Sequence, residues 1–309
     1  MGQVEWLAAK AAKFPSAPVW HPAEQRLYWS DIQDCRLFRT DPISGETETI
    51  LDDGHPVGAM ILQADGSLLL FRDQGSIVSF RDGNIGDTAV AASQDLKHTR
   101  FSCAAAASDG SVVCAVLSDF RHPARIFHLD RKGHLSPLFE TVGVPAGLAF
   151  VESGAEFLLS NSYATRANVI KFRFDAATGT PLPAESSVFL DCHMDNTKTR
   201  GTPAGLAVAS DGSILVTRMD GSAISRHSPD GGRLGSFSIH IRRPIGLCFG
   251  GDGLRDLFVT TAGAHRMVID GAHAGEIAVI RDFKPAGAPV FVSRIGLPDE
   301  EPAAATAAN

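Results

Sequence analysis

The sequence predicts an all-β fold, a six-bladed β-propeller, on three observations. A turn followed by an apolar strand recurs six times, with the turn residues Gln25, Gly66, Gly110, Gly154, Gly212 and Gly253 spaced by 41, 44, 44, 58 and 41 residues. Each copy is preceded by a short segment of small residues, led by proline in most copies. All but the last are followed by a charged strand and a second turn. Hairpin units recurring every ~40–50 residues are the signature of propeller blades, which bury their apolar faces only by stacking around a ring.

The elements follow in chain order. VEWLAA near the start has no blade of its own, so it is expected to complete the last sheet beside GEIAVIRDF (275–283) and cover an edge that would otherwise be exposed. The first blade reads PSAPVW from Pro15, PAEQRLYWSD from Pro22 and RTDPISG from Arg39. The second reads PVGAMI from Pro56, ADGSLLLFR from Ala64 and SFRDGNIG from Ser79. SCAAAA from Ser102, SDGSVVCAV from Ser108 and HLDRKG from His128 make the third, and PAGLAF from Pro145, SGAEFLLSN from Ser153 and FDAATG from Phe174 the fourth. PAGLAV from Pro203, SDGSILVTR from Ser210 and RHSPDGG from Arg226 make the fifth, and PIGLCF from Pro244 with GDGLRDLFVTT from Gly251 the sixth. Runs rich in Val, Ile, Leu and Phe between Asp-Gly or Gly-Glu turns are strand and hairpin signals. Small residues in the leading segment suit the innermost strand, where backbones approach closely.

One domain is expected over 1–296 and a disordered tail over 297–309, PDEEPAAATAAN being of low complexity. The long interval before Gly212 places a surplus in the segment 181–202, which includes His193, Asp195, Lys198 and Arg200. It reads either as a lid over the channel mouth or as a surface loop.

Composition narrows the function classes. The 309 residues carry 28 Lys and Arg against 35 Asp and Glu, a net charge of −7 with no basic concentration, so nucleic acid is not an expected partner. No apolar run reaches the ~18 residues that span a bilayer, and the charged start does not read as a secretion signal. A cytoplasmic protein away from the membrane is expected, with its oligomeric state unread. The five cysteines are scattered without a C-x-x-C pair, which signals neither a disulfide framework nor a zinc site. Sequences for a nucleophile elbow, a zinc-protease helix, a Walker loop or a dinucleotide fold are absent.

In a ring, equivalent positions of the six inner strands face one axis. The position before the small residue is occupied by Ser16, Val57, Cys103, Ala146, Ala204 and Ile245, which offer one hydroxyl and no carboxylate. A hard dication takes about six to eight oxygens, so neither metal nor other cofactor is expected.

The combination of APVW, YWSD followed by RTDP-x-SG, PAGLAF, FRFDAATG, PAGLAV-x-SDG and GLCFGG-x-x-LRDLFVTTA resembles the gluconolactonase, senescence-marker-protein and luciferin-regenerating-enzyme family, from about Val4 to Arg294. The resemblance implies a six-bladed propeller that hydrolyses sugar lactones and related esters with one divalent metal at the channel mouth. The family pattern E-G-P-V-W, N-G-L and D-G implies metal ligands where this chain has Ser16, Ala146 and Ala204. Its R-F-N-D-G pattern implies a substrate-contacting Asn-Asp pair where this chain has Ser102 and Cys103, and of the implied substrate-contacting residues only Arg100 keeps its identity. The frame matches while the metal chemistry does not.

Two residues are therefore expected to carry catalysis. Arg100 could hold a carbonyl or an anion with its fork of donors, or form a surface salt bridge. His55 could act as acid and base near neutral pH, or be structural. Ser16, Ser102 and Cys103 are expected to shape the substrate pocket. Cys103 reads as a nucleophile only if a neighbour lowers its pKa, and otherwise as filling. Asn161, Arg218 and Asp220 end the second strands of their blades and are expected to reach the same mouth. The expected function is action on a small lactone, ester or enol-type carbonyl, hydrolase-like or isomerase-like, through a remodelled metal-independent site. The alternatives are a small-molecule-binding or sensory propeller and a protein-interaction scaffold, the latter weakened by 7% aromatic residues.

Overall fold

Six four-stranded antiparallel sheets form the blades of a propeller. The structure, a computed structural model, describes residues 4–7, 12–117, 122–151, 153–162, 167–175, 178–192, 200–263 and 267–298. Five blades each use four consecutive strands, over 15–52, 59–90, 100–141, 145–191 and 202–238. The sixth, over 244–280, takes its outermost strand from the other end of the chain: Val4–Leu7 pairs antiparallel with Ile277–Ile280, as the sequence led us to expect.

The blades are held at their junctions. Six clusters of buried side chains lie one at each blade-to-blade interface. Trp20, Leu27, Trp29 and Phe38 of the first blade pack on Phe258, Ile277 and Val279 of the sixth, for example, and Leu158 and Val169 of the fourth on Ile214 and Val216 of the fifth. The apolar second strands, buried on both faces, contribute to every one of these clusters, so a blade alone would expose side chains that it buries in the ring. Hydroxyls reinforce the same junctions. Ser30 donates to the Val57 carbonyl at 2.8 Å, Ser160 to Ala204 at 2.5 Å and Thr217 to Ile245 at 2.8 Å, each reaching from a second strand to the next blade's inner strand.

The small residues of the inner strands have a steric cause. A Cβ on Gly58 would lie 1.8 Å from the Phe101 carbonyl oxygen, on Gly147 2.5 Å from that of Ala204 and on Gly205 2.5 Å from that of Ile245. In five inner strands the pairing slips near the mouth, at Ser16/Val19, Phe101/Cys103, Pro145/Gly147, Pro203/Leu206 and Pro244/Leu247. Such bulges re-aim side chains and end pairing. The recurring Asp-Gly-Ser turn is also explained. Oδ1 of Asp65, Asp109 and Asp211 accepts from both the amide and the hydroxyl of Ser67, Ser111 and Ser213, at 2.6–3.0 Å.

Two features correct the sequence reading. The first half of the surplus before Gly212 is not a loop over the mouth. Thr180–Asp191 forms a twelve-residue outer strand of the fourth blade, paired with Asn168–Asp175 through two bulges. Of the lid candidates, His193, Asp195 and Lys198 lie outside the described residues, and Arg200 is exposed. The tail from 299 also lies outside them. The second feature is a strap formed by the segment after the last strand. Ala288 donates to the Val208 carbonyl at 2.9 Å in the fifth blade, Ser293 to Leu62 at 2.9 Å in the second and Arg294 to Gly110 at 2.8 Å in the third. Since the second and fifth blades are opposite each other, the strap crosses the ring along a diameter, at the end where the first and second strands turn.

Candidate functional site

The channel holds a cavity of about 680 Å³, within the ~300–1,000 Å³ range of small-molecule sites. Its mouth is lined by Phe14, Ser16, Ile32, Arg100, Ser102 and Cys103. Buried Asp31, at the end of the YWSD strand, sets the rim by accepting from the amides of Lys13 at 2.7 Å and Phe14 at 3.1 Å. Deeper in, the walls are Val19, Met60, Ala149, Ala207 and Cys248, and the far end is aromatic, with Trp20, Phe150, Phe249 and Phe291. Phe291 belongs to the strap and packs edge-on against Phe150.

Four of the expected site residues share this cavity: Ser16, Arg100, Ser102 and Cys103. Arg100 is half-buried, and its Nη1 donates to the Phe101 carbonyl at 3.2 Å. Burial lowers its pKa, and no described carboxylate forms an ion pair with it. Burial pushes the Cys103 thiol up to about 12, against smaller opposing effects of the Ser102 hydroxyl and Arg100, so the thiolate is scarce near neutral pH. Ser102 leans toward the Ala115 carbonyl at 3.4 Å.

The other four do not line the cavity. His55 stands on the rim, half exposed, with its Nδ1 3.0 Å from Oδ1 of Asp73. A backbone bridge between Asp73 and Arg100 sets this pair beside the start of the Arg100 strand. Asn161 is buried and ties down the neighbouring turn, accepting from the Val144 amide at 2.9 Å and donating to the Val142 carbonyl at 2.5 Å. Arg218 is buried with Nη1 2.9 Å from the Cys192 sulfur. Asp220, in the left-handed region at φ 62°, pairs with Arg242 at 2.9 Å. Reading strand ends as mouth-facing missed this division: Asn161 and Arg218 are buried in packing beside the cavity, and Asp220 lies in the turn after its strand. Asp73, as the partner of His55, was not singled out, and neither was the aromatic far end. The apolar inner-strand residues after each small residue were the only available signal.

Chemically, the mouth offers hydroxyls and a guanidinium. A divalent metal does not fit the described residues: Ser16, Ala146 and Ala204 bring no carboxylate, and the nearby carbonyls of Val57, Ala204 and Ile245 already accept hydroxyls. Among the described residues no group of three or more His, Cys, Asp and Glu is placed to hold a metal ion. All five cysteines are free, and no described helix is long and apolar enough to cross a membrane.

Residues 14–263 match the SMP-30/gluconolactonase/LRE-like family. The chain belongs to that family. Among its SMP-30/gluconolactonase relatives, the pentonolactonase of Haloferax volcanii is 32% identical over 253 residues, covering 82% of this chain and 83% of the relative. The 6-deoxy-6-sulfogluconolactonase of Pseudomonas putida is 27% identical over 287 residues, covering 91% of each. In fold the chain is similar to a regucalcin from Agrobacterium tumefaciens, with a TM-score of 0.81 at 18% identity over 95% of this chain and 97% of the other.

Proposed function

We propose that this protein is an enzyme of the lactonase lineage that opens a small lactone or ester at the channel mouth without a metal. The observation that carries this reading is Arg100, a guanidinium with no described carboxylate partner in the mouth of a well-formed cavity, in a chain whose relatives include lactonases. Arg100 would direct its donors at the substrate carbonyl oxygen, where negative charge builds as the tetrahedral intermediate forms. His55, oriented by Asp73 as a catalytic base is oriented by a third group, would take a proton from the attacking water. The water oxygen bonds to the carbonyl carbon, the ring C–O bond breaks, and the proton passes to the leaving alkoxide. A hydroxy acid results, its carboxylate beside Arg100. Ser16 and Ser102 would orient the ester group.

A binding protein without turnover is the second reading, favoured by the position of His55 outside the cavity lining. Variant kinetics separate the two. Arg100→Lys keeps the charge and breaks the fork, and should cost ~1.5–3 kcal/mol, about ten- to a hundredfold in rate or affinity. In the enzyme reading Arg100→Lys and His55→Ala both lower the rate of lactone opening, followed by proton release in the presence of chelator. In the binding reading no lactone is opened, and only Arg100→Lys weakens ligand binding. If neither substitution alters turnover or binding, the site is not at this mouth.

A further inference from the structure

Resting on the proposed site, we infer that its ligand is an amphiphile, with a carbonyl or carboxylate head at Arg100 and an apolar chain running down the channel. The polar side chains of the axial channel are gathered at its two ends, with Gln25 and Asp252 at the far rim and none along the walls between. Arg100, Ser16, Ser102 and Ser162 stand at the mouth, and below them the walls turn to Val19, Met60, Ala149, Ala207 and Cys248. At the bottom lie Trp20, Phe249 and Phe150, the last packed edge-on against Phe291 of the strap. Ser16 pairs with Ser30 and Trp20 with Leu27, so across the bulge the inner strand advances about 10 Å, more than one lactone ring needs. A polyhydroxylated ring placed below the mouth would leave its hydroxyls facing methyl, thioether and aromatic groups, and unpaired buried hydroxyls are costly. An alkyl chain in the same place releases ordered water and fills a space whose side chains offer only dispersion contacts. The head has one charged anchor, a half-buried guanidinium whose charge burial already disfavours and which no described carboxylate neutralises. A single anionic or carbonyl oxygen at the mouth satisfies it, and a second charge deeper in the channel would find no partner.

The test uses the full-length protein and straight-chain alkanoates from butanoate to dodecanoate, with δ-dodecanolactone as the uncharged head. Affinity measured by calorimetry should rise about fourfold per added methylene, then level off as the chain meets the aromatic end. Arg100→Gln should weaken every alkanoate by a similar factor and leave the chain-length dependence intact. Comparable binding of the lactone would identify the head as a carbonyl, and binding of the alkanoates alone would identify it as a carboxylate. ω-Bromododecanoate should quench the fluorescence component that Trp20→Phe removes, while ω-bromobutanoate should not. If Trp20→Phe does not fold, dodecanoate but not butanoate should slow the reaction of Cys248 with methylmercury. Affinity independent of chain length, or a Trp20 and Cys248 blind to dodecanoate, overturns the inference even if short lactones are hydrolysed. Length-dependent binding without hydrolysis of any lactone supports it and instead removes the catalytic reading.

Discussion

Burial acts in opposite senses on Arg100 and Cys103, which share one wall of the channel mouth: it disfavours the charge of the guanidinium and holds the thiol protonated, at a pKa of about 12. The wall thus presents a cation seeking a partner beside a sulfur that is not a nucleophile. Cys103→Ala should leave lactone opening within a few-fold of the parent, and Cys103 should resist iodoacetamide near neutral pH, labelling only as the pH climbs toward about 12. Mass spectrometry of the alkylated protein reads this directly. Rapid labelling of Cys103 at neutral pH would mean that the mouth is wetter and more electropositive than its packing implies.

The Asp-Gly-Ser turns should give part of the stability a carboxylate pH dependence. Burial works against ionisation of Asp211, but the Ser213 hydroxyl and amide and Arg226 outweigh it, and its pKa lies below the usual carboxylate value. Asp65 is held down in the same way by Ser67 and Arg81. Because the folded pKa is the lower one, this stabilisation is present above about pH 4, the unfolded value, and is lost as pH falls through the folded one. Asp211→Ala should cost about 1 kcal/mol at neutral pH and progressively less in acid, as read from urea melts across a pH series. A cost that does not change with pH would show that the turn is held by backbone geometry alone.

Gly58 and Gly235 make a matched pair for testing the crowding of the inner strands. A Cβ at Gly58 would penetrate the Phe101 carbonyl, whereas at Gly235 nothing lies within 4 Å. Gly58→Ala should therefore destabilise by about 3 kcal/mol or more through overpacking, and Gly235→Ala by less than about 0.5 kcal/mol. Equal melting temperatures for the two variants would contradict the observed packing.

Thermal melts in calcium, in zinc and in chelator should coincide. A ligand that binds only the folded protein stabilises by ~2.7 kcal/mol at a hundred times its dissociation constant, enough to move a melting curve by degrees. A stoichiometric shift of that kind would place oxygen donors outside the described residues at the mouth and refute the metal-free reading.

Features that repeat were legible in the sequence, and features made once were not. Turn spacing located every blade, and the unassigned VEWL pointed to the closing strand. Small residues before each second strand marked contacts as tight as that of Gly58 with Phe101. The strap has no such mark: 285–296 reads as Pro, Ala, Gly and scattered apolar residues, and its partners Val208, Leu62 and Gly110 are far away in sequence and bound through the backbone. Thr180–Asp191 was misread because two prolines and three polar residues hide a strand that sits on the outer edge of its blade, where such residues are tolerated. Within the site, Arg100 stood out as a motif residue, but nothing local tied His55 to Asp73, eighteen residues on.

By running from the fifth blade to the second, the strap splits the axial exit without sealing it: the cavity lining continues to exposed Pro22, Gln25, Asp252 and Gly253 at that end. The two doors carry unlike charge, a guanidinium at one and the Asp252 carboxylate at the other. A hydroxy acid made inside is itself an anion, so it would be turned back at the Asp252 door and leave past Arg100, the way the next molecule comes in. Retaining its tail, it would linger as a rival for the same seat, and its inhibition would be competitive.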